Sequence, residues 1–288
     1  MHGILVVDKP TGLSSAATVD KVKRALRADR AGHGGTLDPL ATGVLPVCLG
    51  AATKLAGYLL ADDKAYEADG LLGVETDTLD RTGRVTAERP VEVTREALLA
   101  AIARRTGAQT QVPPMYSALK QGGVRLYEKA RLGEEVERAP RAITIHTLEL
   151  LMFEPPRFRI AIACSKGTYV RSLIADLGTD VGCGAHMTEL RRTQSGRFVI
   201  GQAVPLDQIG VIDVRPHLVA MSAATDLPKV EIAEELFGKI RSGVQLPVAA
   251  LTEDNLERFQ LVDGLGRLHA IVHVEDARIV YERVFLEA

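Results

Sequence analysis

Residues 32–43, GHGGTLDPLATG, hold a single carboxylate within a glycine-rich stretch. Glycine permits positive φ angles and close backbone approach, and a proline biases the residue before it, here Asp38, toward an extended conformation. The segment would therefore present the Asp38 carboxylate on a constrained loop, with His33 beside it. A carboxylate held in this way can act as a nucleophile or stabilise a cation. The same residue types also form ordinary turns, so these residues alone leave both interpretations open.

Four blocks of the chain, including this loop, closely resemble motifs of the TruB family of tRNA pseudouridine synthases. They are GILVVDKPTGLSS at residues 3–15, GHGGTLDPLATGVLPVCLGAATK at residues 32–54, QVPPMYSALKQGGVRLYEKAR at residues 111–131 and CSKGTYVRSLIADLG at residues 164–178. One block could arise by chance, whereas four blocks in the family's order are a strong signal of membership.

The resemblance implies that Asp38 is the catalytic carboxylate of an isomerase. Pseudouridine formation breaks the N1–C1′ glycosidic bond of a uridine, turns the base and rejoins it through C5. Because no electrons are exchanged and no group is lost, we expect neither a redox cofactor nor a metal. Three roles of Asp38 fit the residues equally: attack on C6 of the base, attack on C1′, or abstraction of a sugar proton.

Two further residues match family positions that take part in the chemistry. Arg171, in the KGTYVR stretch, holds the place of the arginine that pairs with the catalytic aspartate, where a guanidinium favours the charged carboxylate. Tyr66 matches the active-site tyrosine, whose ring can stack on the target base and whose hydroxyl is a candidate for moving the C5 proton. Read without the resemblance, Arg171 is a surface helix residue and Tyr66 a common strand aromatic.

Five residues match positions that the family places around the substrate. The resemblance assigns His33 to the space vacated by a flipped nucleotide, although a structural or general-acid histidine remains an alternative. A core role for Leu190 is as plausible as substrate contact, and Lys9 with Pro10 is expected to brace the catalytic loop. The substrate-binding set is therefore His33, Tyr169, Lys166, Leu190 and Lys9.

Other common site chemistries find no support in the sequence. Lys166-Gly167-Thr168 lacks the upstream glycine of a phosphate-binding loop, and the spacing of Asp77 and Asp80 does not fit a calcium loop. Cys183 and His186 have no second ligand pair nearby, so core packing explains Cys183 better than zinc does. The sequence therefore predicts no cofactor and no metal.

The pattern of elements predicts an α+β fold with a mixed, largely antiparallel sheet and flanking helices, which the resemblance identifies as the pseudouridine synthase fold. Apolar runs and alternation predict strands at residues 4–7, 65–74, 142–153 and 157–164, the last two antiparallel. Helical spacing and caps predict helices that begin at Ser14 or Ser15 and at Thr94, and others over residues 53–61 and 168–181.

The C-terminal part differs from the rest in charge and in pattern. Residues 226–288 hold seven Lys and Arg against twelve Asp and Glu, a net charge of −5 that leaves +3 elsewhere. Breakers at residues 215–228 precede one helical segment and two β-like runs, at residues 268–274 and 277–285. We therefore predict a catalytic domain at residues 1–225 and a small β-rich domain at residues 226–288. By resemblance the second is PUA-like.

Charge and composition also bear on partners and location. Lys21, Lys23, Arg24, Arg27 and Arg30 cluster just before the glycine loop, which favours phosphate contact over a merely solvated face. No run approaches the ~18 apolar residues of a membrane span, the N-terminus does not resemble a signal peptide, and three cysteines do not suggest a disulfide framework. We expect a cytoplasmic protein that has no membrane partner.

The resemblance predicts an enzyme that acts on uridine 55 in the T-loop of tRNA. We expect a monomer without an obligate protein partner, recognising the shape of the T-arm and a flipped base. Aromatic residues make up only 4% of the chain, which argues against extended stacking on single strands. Two rival hypotheses remain: a non-catalytic RNA-binding protein on this fold, and a dyskerin-type enzyme that uses guide RNAs and partner proteins.

Overall fold

A computed structural model describes residues 1–116 and 136–285, together with the backbone of two short strands between them. Much of the motif block at residues 111–131 lies outside the described residues. The chain divides into two compact units. The first comprises Met1–Asp38, Val44–Ala61 and Arg197–Ala288, and the second comprises Pro39–Gly43 and Asp62–Gly196.

The described helices are short. The α-helices are α1 Ser15–Ala25, α2 Ala56–Leu60, α3 Arg95–Arg104, α4 Val170–Asp180 and α5 Phe237–Arg241. The 3₁₀ helices are Gly50–Leu55, Ile200–Gln202, Leu206–Gln208, Arg215–His217, Met221–Ala223, Glu234–Leu236 and Val248–Ala250. Within the described part of the chain, no helix is both long and apolar enough to cross a membrane.

Strands supply most of the regular structure. In chain order they are β1 Gly3–Lys9, β2 Ala31–His33, β3 Thr42–Leu49, β4 Lys64–Leu72, β5 Val74–Thr76, β6 Val85–Glu88, β7 Gly107–Gln111, β8 Lys120–Gln121, β9 Val124–Arg125, β10 Arg141–Glu154, β11 Arg157–Cys164, β12 Ala185–Ser195, β13 Phe198–Val199, β14 Val204–Pro205, β15 Leu218–Val219, β16 Lys229–Glu231, β17 Arg258–Val262, β18 Leu268–Glu275 and β19 Arg278–Val284.

The first unit is built around β1, which neighbours β3 and pairs with β14 in parallel and with β15 antiparallel. Successive side chains of a strand point to opposite faces. Ile4 and Val6 accordingly join one buried cluster, while Leu5 and Val7 join another. The second cluster includes Val19 and Val22 of α1, so the helix packs its apolar stripe on one face of these strands.

The C-terminal strands form a four-stranded sheet within the first unit, in the order β16-β17-β18-β19. β16 and β17 are parallel and the other pairs are antiparallel. Two hydrogen bonds tie β19 to the segment after β3. The Lys54 ammonium donates to the carbonyl of Val284 (2.6 Å), and the Tyr58 hydroxyl donates to the Glu282 carboxylate (2.7 Å). The β-rich character predicted for residues 226–288 is therefore confirmed; the domain boundary and the PUA-like assignment stay predictions.

The second unit holds an antiparallel sheet in the order β12-β4-β11-β10-β7. At the outer side of β12, Thr42 and Gly43 pair in parallel with Arg191 and Arg192. The sheet therefore combines one short parallel pairing with a long antiparallel run. The predicted fold class, α+β with a mixed and largely antiparallel sheet, is confirmed.

The predicted helices and strands are largely present, but several of their boundaries differ and several strands were not predicted. The fourth helix begins at Val170 rather than at Thr168, and Tyr169 is its N-cap residue. Arg171 therefore lies in the first turn of this helix. The strands β3 and β12 were not predicted, because Gly43 and Pro46 interrupt the pattern of one and charged residues fill the other.

Candidate active site

The glycine loop connects β2 to β3, which pair as an antiparallel hairpin. His33 lies at the end of β2 opposite Val47, and the Gly34 N–H donates to the carbonyl of Pro46 (2.9 Å). A Cβ atom built on Gly34 would lie only 2.6 Å from a side-chain carbon of Leu59, so a larger residue would displace the packed leucine. Packing therefore requires glycine at position 34, where the chain leaves β2 four residues before the half-buried Asp38.

Ser15 fixes the backbone immediately before Asp38. Its hydroxyl accepts a hydrogen bond from the Leu37 N–H (2.8 Å) and donates one to the Leu37 carbonyl (3.1 Å). Ser15 is buried in the first turn of α1, and the neighbouring Ser14 caps that helix by accepting from the Ala17 N–H (3.1 Å). The start of α1 and the glycine loop are therefore joined through one side chain.

Lys9 is fully buried, with no exposed surface. Its ammonium donates to the carbonyls of Pro10 (2.9 Å) and Leu13 (2.7 Å), which lie in the turn between β1 and α1. A buried ammonium needs such partners. This placement accords with the expected bracing role, which stays a prediction, as does the assignment of Lys9 to the substrate-binding set.

At Gly43, the last residue of the loop, the backbone conformation and the packing both require glycine. Its φ of +97° lies in the left-handed region, and a Cβ built there would lie 2.2 Å from the carbonyl oxygen of Arg192. Only glycine can therefore bring β3 this close to β12 without moving the backbone. The residues that follow Asp38 are registered against Arg192 in this way.

Tyr66 lies on β4, directly opposite Arg192 on the neighbouring β12. Tyr66 is 9% exposed and Arg192 only 1% exposed, and the guanidinium is hydrogen-bonded to the Tyr66 side chain. Burial lowers the pKa of Arg192, and the charge interaction and hydrogen bond with Tyr66 oppose that shift. Arg192 was not among the predicted site residues; it lies two residues after Leu190 on β12, a strand that was itself not predicted.

Arg171 is held by backbone carbonyls on two segments. Its Nη1 atom donates to the Thr78 carbonyl (3.0 Å) and its Nη2 atom to the Tyr116 carbonyl (2.8 Å). The carboxylate of Asp80 lies 3.7 Å from Nη1, and both side chains are almost wholly buried. Helix α4 and the turn after β5 together therefore orient the guanidinium.

Asp80 was considered in the sequence only as a metal ligand. In the structure its Oδ1 atom accepts hydrogen bonds from the Thr78 hydroxyl (2.8 Å) and from the Thr82 N–H (2.9 Å) and hydroxyl (2.6 Å). These donors organise the turn and aim the other carboxylate oxygen toward Arg171. Asp80 is thus an ion-pair partner of Arg171. Among the described residues, no group of His, Cys, Asp and Glu is arranged to hold a metal ion.

The remaining predicted residues of the second unit occupy three different environments. Tyr169 is half-buried, and the Gln111 side chain bonds both its N–H (2.8 Å) and its carbonyl (3.1 Å). Lys166 is exposed in the turn before α4. Leu190 is buried in β12, and its carbonyl lies 3.4 Å from the Thr42 hydroxyl, which donates to it. Whether each contacts substrate stays a prediction.

The buried thiols of Cys48 and Cys164 are unsuited to nucleophilic chemistry. Burial raises the pKa of Cys48 to about 12 and that of Cys164 to about 11. Both thiols are therefore protonated at neutral pH, and a protonated thiol is a poor nucleophile. The oxygen and nitrogen groups described above are the better candidates for chemistry.

The predicted residues are distributed over both units. Lys9, His33 and Asp38 belong to the first unit, whereas Tyr66, Arg171, Tyr169, Lys166 and Leu190 belong to the second. Asp38 is the last residue before the chain passes into the second unit at Pro39. The pairing of Asp38 with Arg171 stays a prediction.

Family models match both the loop and the Arg171 region. Residues 23–170 match the model described as "TruB family pseudouridylate synthase (N terminal domain)", which covers just over half of the chain. Residues 171–214 match the "tRNA pseudouridylate synthase B C-terminal domain". The chain belongs to the TruB family. It is accordingly a pseudouridine synthase, which is an isomerase.

Relatives within the TruB family are similar over most or all of their length. A "tRNA pseudouridine synthase B" from Stutzerimonas stutzeri is 55% identical over 209 residues, covering 73% of this chain and 68% of the relative. Another, from Pseudomonas syringae pv. syringae, is 52% identical over 293 residues, covering 99% and 95%. A solved Cbf5–Nop10–Gar1 complex contains a chain with a TM-score of 0.77 and 26% identity, covering 99% of this chain and 85% of that one.

Proposed function

We propose that this TruB-family chain converts the T-loop uridine of tRNA, conventionally position 55, into pseudouridine, with Asp38 as the catalytic carboxylate. The observation that carries the proposal is similarity along 99% of the chain to a relative named tRNA pseudouridine synthase B. The loop that holds Asp38 lies inside the matched N-terminal family model. A tRNA substrate and a cytoplasmic location follow from the same argument.

The geometry supports distinct roles for three side chains. Asp38 supplies the carboxylate that either forms a covalent bond or stabilises a cationic sugar while the N1–C1′ bond breaks. Arg171, buried and held by two carbonyls, supplies a fixed positive charge that would keep a carboxylate ionised. Tyr66 offers a ring for the base and a hydroxyl for the proton that C5 loses when it bonds to C1′.

RNA binding is supported by the surface around α1. Lys21, Lys23, Arg24, Arg27 and Arg30 are all exposed, whereas Val19 and Val22 of α1 are buried. Clustered cations bind the phosphate backbone and make affinity depend on salt. This surface lies in the same unit as Asp38 and gives the otherwise acidic chain a place to bind RNA.

The decisive experiment measures tritium release from tRNA transcripts labelled at uracil C5. Bond formation at C5 must expel that hydrogen, so release reports isomerisation directly. We expect release by the wild type of about one equivalent per tRNA, and none from Asp38→Asn or from a transcript whose T-loop uridine is replaced. Absence of release by the wild type, with tRNA binding intact, would contradict the proposal and favour a binding module.

Independence from protein partners is tested with the same assay. The similar solved chain is part of a complex with Nop10 and Gar1, whereas we propose that this chain acts alone, as a monomer. Activity of the purified chain on a bare T-arm hairpin is the expected result. A requirement for a guide RNA or a second protein would instead favour the dyskerin-type alternative.

A further inference from the structure

Arg192, a buried cation, lies in the sheet between the end of the glycine loop and Tyr66. Gly43 on β3, Arg192 on β12 and Tyr66 on β4 lie in register across three adjacent strands. Among the described residues that are fully buried, Arg192 has the largest side chain. Directly opposite residues of an antiparallel pair place their side chains on the same face, which explains why the guanidinium meets the Tyr66 hydroxyl.

The direction of this hydrogen bond follows from the chemistry of arginine. A guanidinium has five N–H donors and no acceptor, so the oxygen of Tyr66 must accept from Arg192. The phenolic proton can therefore point toward a partner other than Arg192, and so can the remaining lone pairs once Tyr66 is ionised. A cation beside a phenol oxygen also favours the ionised form of that phenol.

Other charged residues lie close to Tyr66 in the sequence of β4 and just before it. Lys64, two residues earlier on the same face of β4, is also buried, and both its burial and the charge of Arg192 lower its pKa. On the other neighbouring strand, β11, the residue opposite Tyr66 is the uncharged Ile162. Asp62 and Asp63 lie next to Lys64 in sequence and attract its charge.

We propose that Arg192 is a positioning residue of the isomerisation, which holds the Tyr66 oxygen as the acceptor of the proton that C5 loses. The inference rests on the proposed function. Once C5 has bonded to C1′, the Tyr66 phenolate takes the C5 proton. The C5–H electron pair becomes the C5–C6 double bond, the π pair of the N1=C6 double bond moves to N1, and N1 takes a proton from water. Tyr66 then releases its proton to solvent before the next turnover.

The test separates chemistry from binding by measuring single-turnover tritium release with tRNA in a preformed complex. Arg192→Met removes the cation and keeps similar length. We expect its rate constant to fall about 10- to 100-fold, the range for a lost charge-assisted hydrogen bond, with tRNA affinity little changed. In a Tyr66→Phe background, the same substitution should change the residual rate by less than about threefold, because its partner is already absent.

A matched control comes from the same sheet. Arg159 on β11 is partly exposed and makes a bidentate ion pair with Asp69. Arg159→Met therefore makes the same chemical change away from Tyr66, and we expect a wild-type rate constant. A wild-type rate in Arg192→Met, or an equal loss in the Tyr66→Phe background, would overturn the inference.

Arg192→Lys covers the case in which the methionine variant does not fold. It keeps the buried charge but loses the planar fork. We expect a folded protein whose single-turnover rate recovers as pH rises, because Tyr66 then ionises with less assistance. A pH profile identical to the wild type would reject the role of Arg192. Failure of the wild type itself to release tritium would reject the proposed function instead.

Discussion

Replacing Ser15 with alanine tests how the fold holds the Asp38 carboxylate, the proposed catalytic group, in place. Ser15 makes both of its hydrogen bonds to Leu37, at 2.8 and 3.1 Å, and it is 2% exposed. Alanine would leave a buried N–H and a buried C=O without this partner. At about 1–3 kcal/mol for each unsatisfied group, and with some relaxation, we expect a loss of about 2–4 kcal/mol of stability.

The larger consequence is expected in the rate. Asp38 directly follows Leu37, so freeing that backbone lets the carboxylate move. A displacement of about 1 Å in a catalytic group can lower a rate by about 100-fold. We therefore expect Ser15→Ala to lower kcat for tritium release by about 30- to 100-fold while KM changes little, since the exposed basic residues of α1 are untouched.

Ser14→Ala is the matched control, because Ser14 precedes Ser15 and caps the same helix. It loses an exposed N-cap hydrogen bond, worth about 1 kcal/mol, without touching Leu37. We expect a lower melting temperature for both variants and a kcat defect only for Ser15→Ala. If the two variants have equal kcat values once both are folded, Ser15 is merely part of the helix and the reasoning is refuted.

Three further substitutions have defined expected outcomes. Arg171→Lys should lower the isomerisation rate by about 100-fold or more while tRNA binding, measured by filter retention, survives, because lysine cannot reproduce the fork; near-normal turnover would contradict the predicted pairing with Asp38. Gly43→Ala should destabilise the protein by about 3 kcal/mol or more, since its Cβ would lie 2.2 Å from a backbone oxygen; an unchanged melting temperature would refute that packing argument. The hydrogen bonds from Arg105 hold the pKa of Asp180 below its usual value, so this carboxylate stabilises the fold above about pH 4 and loses its effect as pH falls through the depressed pKa. Asp180→Asn should therefore melt below the wild type at pH 7 but not near pH 2, and a difference that persists in acid would contradict the ion pair.

Local rules of the chain were sufficient for several elements. The predicted cap residues were Ser14 or Ser15 for the first helix and Thr94 for a later one, and Ser14 and Thr94 each accept a hydrogen bond from the third residue after them. Breakers at Pro155-Pro156 predicted the turn between two antiparallel strands, and β10 and β11 pair across it. These signals succeed because caps and tight turns depend on residues only a few positions apart.

The polar strand β12 shows where such rules fail. Its sequence, AHMTELRRTQS, is not apolar, and two register irregularities against β4 interrupt its alternation. It becomes a central strand because β4 on one side and the start of β3 on the other supply hydrogen-bonding partners. A sequence window cannot detect partners that are distant in the chain, and tertiary context overrides β-propensity.

Motifs and local patterns were enough to predict the family, the loop that carries Asp38, the caps and hairpin, and the class of fold. Each of these features depends on a short run of residues whose geometry is local. Three contacts became visible only in the folded chain: Ser15 bonds to Leu37, 22 residues away, Asp80 pairs with Arg171, and Arg192 lies opposite Tyr66. Each of these contacts joins segments far apart in the chain. Long-range pairing is decided by which strands and helices bury their apolar faces together, because burial contributes most of the folding free energy.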